Sequence, residues 1–200
     1  MKKTTLIALA LCTLWAAPSS IANTLCATDA QRAAIQAAMA DPAKPAPYRV
    51  AAKLAVPEAT VQSALAPSSY GIDASHFRSV WTSLTAWEEA VTVVMKNGHI
   101  FETHGRIPEG EPSKRSQFFN LKSEAAGMHG HLRPDLLSAI YVMDLPIGDE
   151  TQRGVLFYDK QGDIAFGVYL PGEGHTPSAT ALQQFAATRS LIQQQPSICR

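Results

Sequence analysis

"VTVVMKNGHIFETHG", Val91 to Gly105, is the stretch where the periodicity of the chain changes, and its reading decides the fold. Before it, apolar residues recur at helical spacing. From Val91 onward they alternate, as in strands with one buried face. Asn97 and Gly98 stand at the middle of the stretch. Asn-Gly supplies the two positive φ angles of a type I′ turn, whose twist matches that of the strands it joins. A two-residue loop pairs Met95 with Ile100, and it puts Val93, Met95, Ile100, Glu102 and His104 on one face of a hairpin.

Toward the C-terminus, further strands are expected in "QFFNLKS" (117–123), "GMHGHLR" (127–133), "LLSAIYVMDL" (136–145), "GVLFYDK" (154–160) and "DIAFGVYL" (163–170), with "KQGD" (160–163) as a tight turn. A closing helix begins near Thr176 and Pro177 and sets Leu182, Phe185, Ala186 and Ile192 on one side. Toward the N-terminus, "SHFRSVWTSLTAWEEA" (75–90) carries Phe77, Val80, Trp81 and Leu84 at i, i+3, i+4 and i+7, one apolar helical stripe. "TDAQRAAIQAAMAD" (28–41) opens with the capping-box pair Thr28 and Gln31 ahead of Ile35, Ala38 and Met39. After the proline-rich "DPAKPAP" (41–47), "YRVAAKLAVPEATVQSALAP" (48–67) reads as two short helices, the second with Pro57 at its first turn. These divide the chain into a leader over 1–22, a helical part over 23–70 and an α+β domain over 71–200.

The leader, "MKKTTLIALALCTLWAAPSSIAN", has two lysines, an apolar run from Leu6 to Ala17, and small Ser20 and Ala22 where a signal peptidase reads. Cleavage after Ala22 is expected, giving a periplasmic or secreted protein. The apolar run falls short of the roughly 20 residues that span a bilayer, so no stable membrane insertion should follow cleavage. Cys26 and Cys199 then stand near the two ends of the mature chain, and in an oxidising compartment they can form a disulfide. The alternative is a pair of free thiols.

Lysine plus arginine equals aspartate plus glutamate at 17 each, so no global field favours nucleic acid. The two short helices before residue 67 have the outline of a helix-turn-helix, but the second offers Glu58, Thr60, Gln62 and Ser63 without an arginine. No P-loop, Ser/His/Asp order or paired-carboxylate signature points to phosphoryl transfer or hydrolysis.

"FFNLKSEAAGMHGHLRPD" (118–135) holds His129 and His131 one residue apart, which in a strand places both on one side. Three readings are open. They are solvated strand polarity, ligands to a divalent metal with Glu102 or His104, or an axial imidazole to haem lying on an apolar sheet.

From about Phe77 to Ile192 the chain resembles the HutX/ChuX family of bacterial haem-utilisation carriers, through "FRSVWTSLTAW", "GHIFETHGRIPEG", "FFNL", "GMHGHLRPD", "AIYVMDLPIG", "GVLFYDKQGD" and "LQQFAATRSLI" in the family's order. The resemblance implies an α+β fold with a large antiparallel sheet, flanking helices and a small N-terminal helical part. It implies non-covalent binding of haem b, a homodimer, and a haem donor or acceptor protein as partner. His131 falls on the histidine of the family's "GH" strand, so the haem iron is expected on His131. Met95 stands where some members have a strand histidine, and His129 matches no family position. The family's Gly-Arg-Asp turn is replaced by "YLPGEGHT", leaving Arg133, Arg106 or the pair Lys114 and Arg115 to meet the haem propionates. A haem-degrading enzyme and a ligand-free dimeric module are the alternative functions on this fold.

Overall fold

The computed structural model describes residues 25–96, 99–122, 128–172, 174 and 176–199. The leader lies outside them, as do Asn97 and Gly98 of the hairpin turn. The register settles the loop length all the same. Lys96 faces His99 and Met95 faces Ile100, as a two-residue connection requires.

Among the described residues, three α-helices come first: α1 (Asp29–Met39), α2 (Pro47–Leu54) and α3 (Glu58–Ser63). The capping box of α1 is formed. The Thr28 hydroxyl accepts from the Gln31 backbone N–H, and the Gln31 side chain accepts from the Thr28 N–H at 2.9 Å. Nine strands follow, with α4 (Phe77–Leu84) after the first and α5 (Ala179–Gln193) after the last. They are β1 (Ser69–Asp73), β2 (Ala90–Lys96), β3 (His99–Gly105), β4 (Gly110–Pro112), β5 (Phe119–Leu121), β6 (Gly130–Leu132), β7 (Leu137–Ile147), β8 (Glu150–Asp159) and β9 (Ile164–Tyr169). Six form one antiparallel sheet in the order β1-β7-β8-β9-β2-β3, and the remaining three form a small sheet, β4-β5-β6. This is the expected α+β architecture, with β1 running across residue 70.

Strands β7 and β8 are buried on both faces, which is why they read as nearly continuous apolar runs. Ile140, Val142, Val155 and Phe157 point to one side, where they pack with Phe77, Val80, Trp81 and Leu84 of α4 and Phe185 and Ile192 of α5. Phe119 of the small sheet joins this core and meets the Phe77 ring edge-on at 5.2 Å. Ala139, Tyr141, Met143, Leu156 and Tyr158 point to the other side, toward Leu25 and Ala59 of the N-terminal segment. Ile35, Val50 and Val61 of the three N-terminal helices close against Leu145.

Glycines allow the second face to close. A Cβ on Gly71 would lie 2.3 Å from the buried Tyr141 ring. Gly162 turns the β8–β9 hairpin at φ +85°, and a Cβ there would also strike Leu25 and Pro57. The Asp159 carboxylate accepts backbone N–H groups from Gln161 and Asp163, so "KQGD" forms the tight turn its residues suggest.

Three expectations are corrected. In α5 the buried face is Ala181, Phe185, Thr188 and Ile192, while Leu182 is 38% exposed and Ala186 lies outside. The stripe was obscured because one of its members is polar: Thr188 Oγ1 accepts a 3.0 Å bond from the buried Trp87 indole N–H. Pro57 is the N-cap of α3 and not part of its first turn. His129 does not share a strand with His131, since β6 begins at Gly130 and runs for three residues.

Cys26 and Cys199 are joined by a disulfide, S–S 2.00 Å and Cα–Cα 5.5 Å, across a sequence separation of 173. The bridge ties the start of the helical part to the chain end, beside an Ile72–Ser197 β-bridge on the edge strand β1. Closing so long a loop stabilises by about 5 kcal/mol in the chain-entropy model, usually less in practice. Denaturant unfolding with and without reductant should therefore show a clear fall in midpoint on reduction. An unchanged midpoint would contradict a structural role for the bridge.

Candidate functional site

The small sheet has an inner and an outer face. Phe119 pairs with Leu132, and both turn inward to the main core. By alternation, the next pair, Asn120 and His131, turns outward. His131 is exposed, and its Nδ1 lies 2.8 Å from Asn120 Oδ1. An amide oxygen can only accept, so Nδ1 donates, and in the neutral ring Nε2 keeps the lone pair. A hydrogen bond that fixes the tautomer of an imidazole in this way is the usual support of a metal-binding histidine. The Phe118 ring lies beside it, with centroids 5.6 Å apart, and is itself 39% exposed.

Arg133 approaches the same ring, its Cζ 5.6 Å from the Phe118 centroid. Its fork is already engaged. Nε donates to Asp135 Oδ1 at 2.7 Å, and Nη2 donates to Asp135 Oδ2 at 2.6 Å and to Gln117 Oε1 at 2.8 Å. The guanidinium holds the Asp135 carboxyl below the usual carboxylate range. Phe118, Gln117 and Asp135 form one wall of a cleft of about 760 Å³ between the small sheet and the start of α4. Two cations, Arg78 and Lys160, line this cleft, together with Asp73.

A second cleft, about 320 Å³, opens on the opposite face of the large sheet. Val93, Met95, Ile100, Glu102 and His104 all line it, as the hairpin register requires. Its floor includes Glu58, Tyr158 and Tyr169. Burial raises both phenols, and it raises the Glu58 carboxyl, whose Oε2 accepts from the Ile164 N–H at 2.7 Å. The described lining carries Glu58, Glu102 and Glu150 but no lysine or arginine.

The residues singled out from the sequence are thus placed in two groups. His131 and Arg133 come together around Phe118. Met95 sits on the other sheet, in the other cleft, and His129 is exposed ahead of β6. Among the described residues no three His, Cys, Asp or Glu side chains gather as a metal site, so Glu102 and His104 do not join His129 and His131. Asn120, Phe118, Gln117 and Asp135 were missed as site residues. Alternation within "QFFNLKS" puts Phe118 and Asn120 on one face, but which strand pairs with them is a long-range fact that local pattern does not contain.

Comparison with known proteins bears on the fold and the family. The intracellular heme transport protein HutX of Vibrio cholerae is 27% identical over 150 residues, covering 74% of this chain and 75% of HutX. Protein AGR_C_4470 of Agrobacterium tumefaciens, a solved structure, superposes with a TM-score of 0.72 at 25% identity, covering 88% of this chain and 99% of that one. The heme binding protein ChuX superposes with a TM-score of 0.69 at 23% identity, covering 78% and 98%. The family model for haem utilisation ChuX/HutX matches residues 71–188, from β1 through most of α5, and on that match over more than half of its length this chain belongs to the ChuX/HutX family.

Proposed function

We propose that this protein binds haem b non-covalently on the outer face of the small sheet, with His131 as the axial ligand, and passes it between a donor and an acceptor protein. One observation carries the reading: His131 is exposed on the outer face, with its Nδ1 held by Asn120 and its ring beside the exposed Phe118 ring. The two clefts differ in a way that supports the choice. A porphyrin with two propionates is an anion, and the cleft beside Phe118 carries Arg78 and Lys160 with Asp73 and Asp135, whereas the described lining of the Met95 cleft carries three glutamates and no lysine or arginine. Apolar contact with Phe118 would supply affinity, and a side-chain cation would fix orientation. Haem is cargo in this account, and the protein acts as a carrier and not as a degrading enzyme.

The sixth coordination position is then left to water or to a second protomer, since Met95 of the same chain belongs to the other sheet. A homodimer is part of the proposal. Among the described residues strand β3 is an edge of the large sheet, and its Ile100 and Phe101 are 56% and 67% exposed, an unusual amount of apolar surface for an edge. The setting we propose is the periplasm, in contrast to the intracellular relative. The Cys26–Cys199 bridge suits an oxidising compartment, and Cys26 follows closely on the expected cleavage site.

In a spectroscopic haem titration, His131→Ala should shift the Soret band and speed haem loss, while His129→Ala should leave both nearly unchanged. Wild-type spectra and off-rates in the His131→Ala protein would overturn the assignment. Product analysis of the haem complex with a reductant and oxygen should return intact haem, and release of a ring-opened tetrapyrrole would favour the enzyme reading. Mature protein isolated from the periplasm should begin at Asn23, and an intact Met1 form confined to the cytosol would remove the export proposal.

A further inference from the structure

We propose that Asp135 is an internal stand-in for a haem propionate, holding the Arg133 fork and yielding it when haem seats on Phe118. The inference rests on the haem reading of this site.

The geometry is specific. A guanidinium binds a carboxylate best through two parallel N–H bonds, and Arg133 makes that arrangement with Asp135 through Nε and Nη2. The second Nη2 proton goes to Gln117. An incoming carboxylate can therefore find two donors on one edge of Arg133 only by displacing Asp135 or Gln117. Both of those residues line the cleft beside Phe118, so the competitor stands where the ligand arrives.

Charge points the same way. Among the charged groups lining the cleft are Asp73, Arg78, Asp135 and Lys160, and Asp135 also feels the Lys160 ammonium. Asp135 thus partly neutralises both Arg133 and Lys160. The pair lies at the surface, with side chains 34% and 38% exposed, where a single ion pair contributes little. The contact is therefore weak enough to exchange. For a carrier this has a direct use: a tethered carboxylate that returns to Arg133 speeds release of the propionate, so affinity is held down and hand-over stays fast.

The test measures haem transfer from the mature protein to excess apomyoglobin, and equilibrium affinity, for wild type, Asp135→Asn, Arg133→Gln and the double variant, each checked by thermal melting. Asp135→Ser serves as a second variant should the asparagine disturb folding. Haem dimethyl ester, which lacks free carboxylates, is the control probe. Removing the competitor should slow haem loss and tighten binding about three- to fivefold. The gain should vanish in the Arg133→Gln background and with the dimethyl ester. No gain or a loss in both Asp135 variants, an equal gain with the ester, or a gain that persists without Arg133 would each overturn the proposal. If the wild-type protein shows no Soret band at all, the haem reading fails and this inference falls with it. That result is distinct from normal wild-type binding that Asp135 does not affect.

Discussion

The antiparallel pairing of β7 with β8 is the constraint on which the rest of the molecule depends. The two strands run side by side from Leu137–Asp159 to Ile147–Glu150, and alternate residues serve two different cores. A slip of one residue would move Ile140, Val142, Val155 and Phe157 from the α4–α5 side to the side of the N-terminal helices. Neither side could accept the exchange. The first is filled by Phe77, Trp81, Phe119 and Phe185, and the second needs Tyr141 over Gly71 and Tyr158 beside Gln62. Burying side chains of this size is worth roughly 1.5–3 kcal/mol each, so the register is held by many such contributions at once.

The small sheet depends on that core for its position. Phe119 anchors β5 against Phe77 and Trp81, and the Trp81 indole N–H donates to the Pro108 carbonyl at 3.0 Å just before β4. With Phe119 and Leu132 committed inward, Phe118, Asn120 and His131 must face outward. The outward imidazole is thus a consequence of inward packing one residue away. The same alternation leaves Phe118 exposed, which is unfavourable for stability and useful for binding a flat apolar ligand.

Much of this was legible in the sequence where the signal was local. The Asn97-Gly98 pair located the hairpin register, and the stripe Phe77, Val80, Trp81 and Leu84 is fully buried. Strands β1 and β4 escaped notice because they are short and carry few apolar residues: "SYGID" contains one aliphatic side chain, and "GEP" none. In α5 a polar Thr188 belongs to the core face, so counting apolar residues alone misplaced Leu182 and Ala186. The separation of His131 from Met95 was hidden for a different reason. Both lie in alternating stretches, and only the long-range pairing shows that one belongs to the small sheet and the other to β2 of the large sheet.

The central claim is that haem lies on the small sheet and not in the acidic cleft of the large one, and paramagnetic NMR of the ferric haem complex tests it most directly. Amide signals of Phe118, Asn120, His131 and Leu132 should broaden on haem addition while those of Val93, Met95, Glu102 and His104 stay sharp. Broadening centred on Met95 and His104, with the small sheet unaffected, would contradict it.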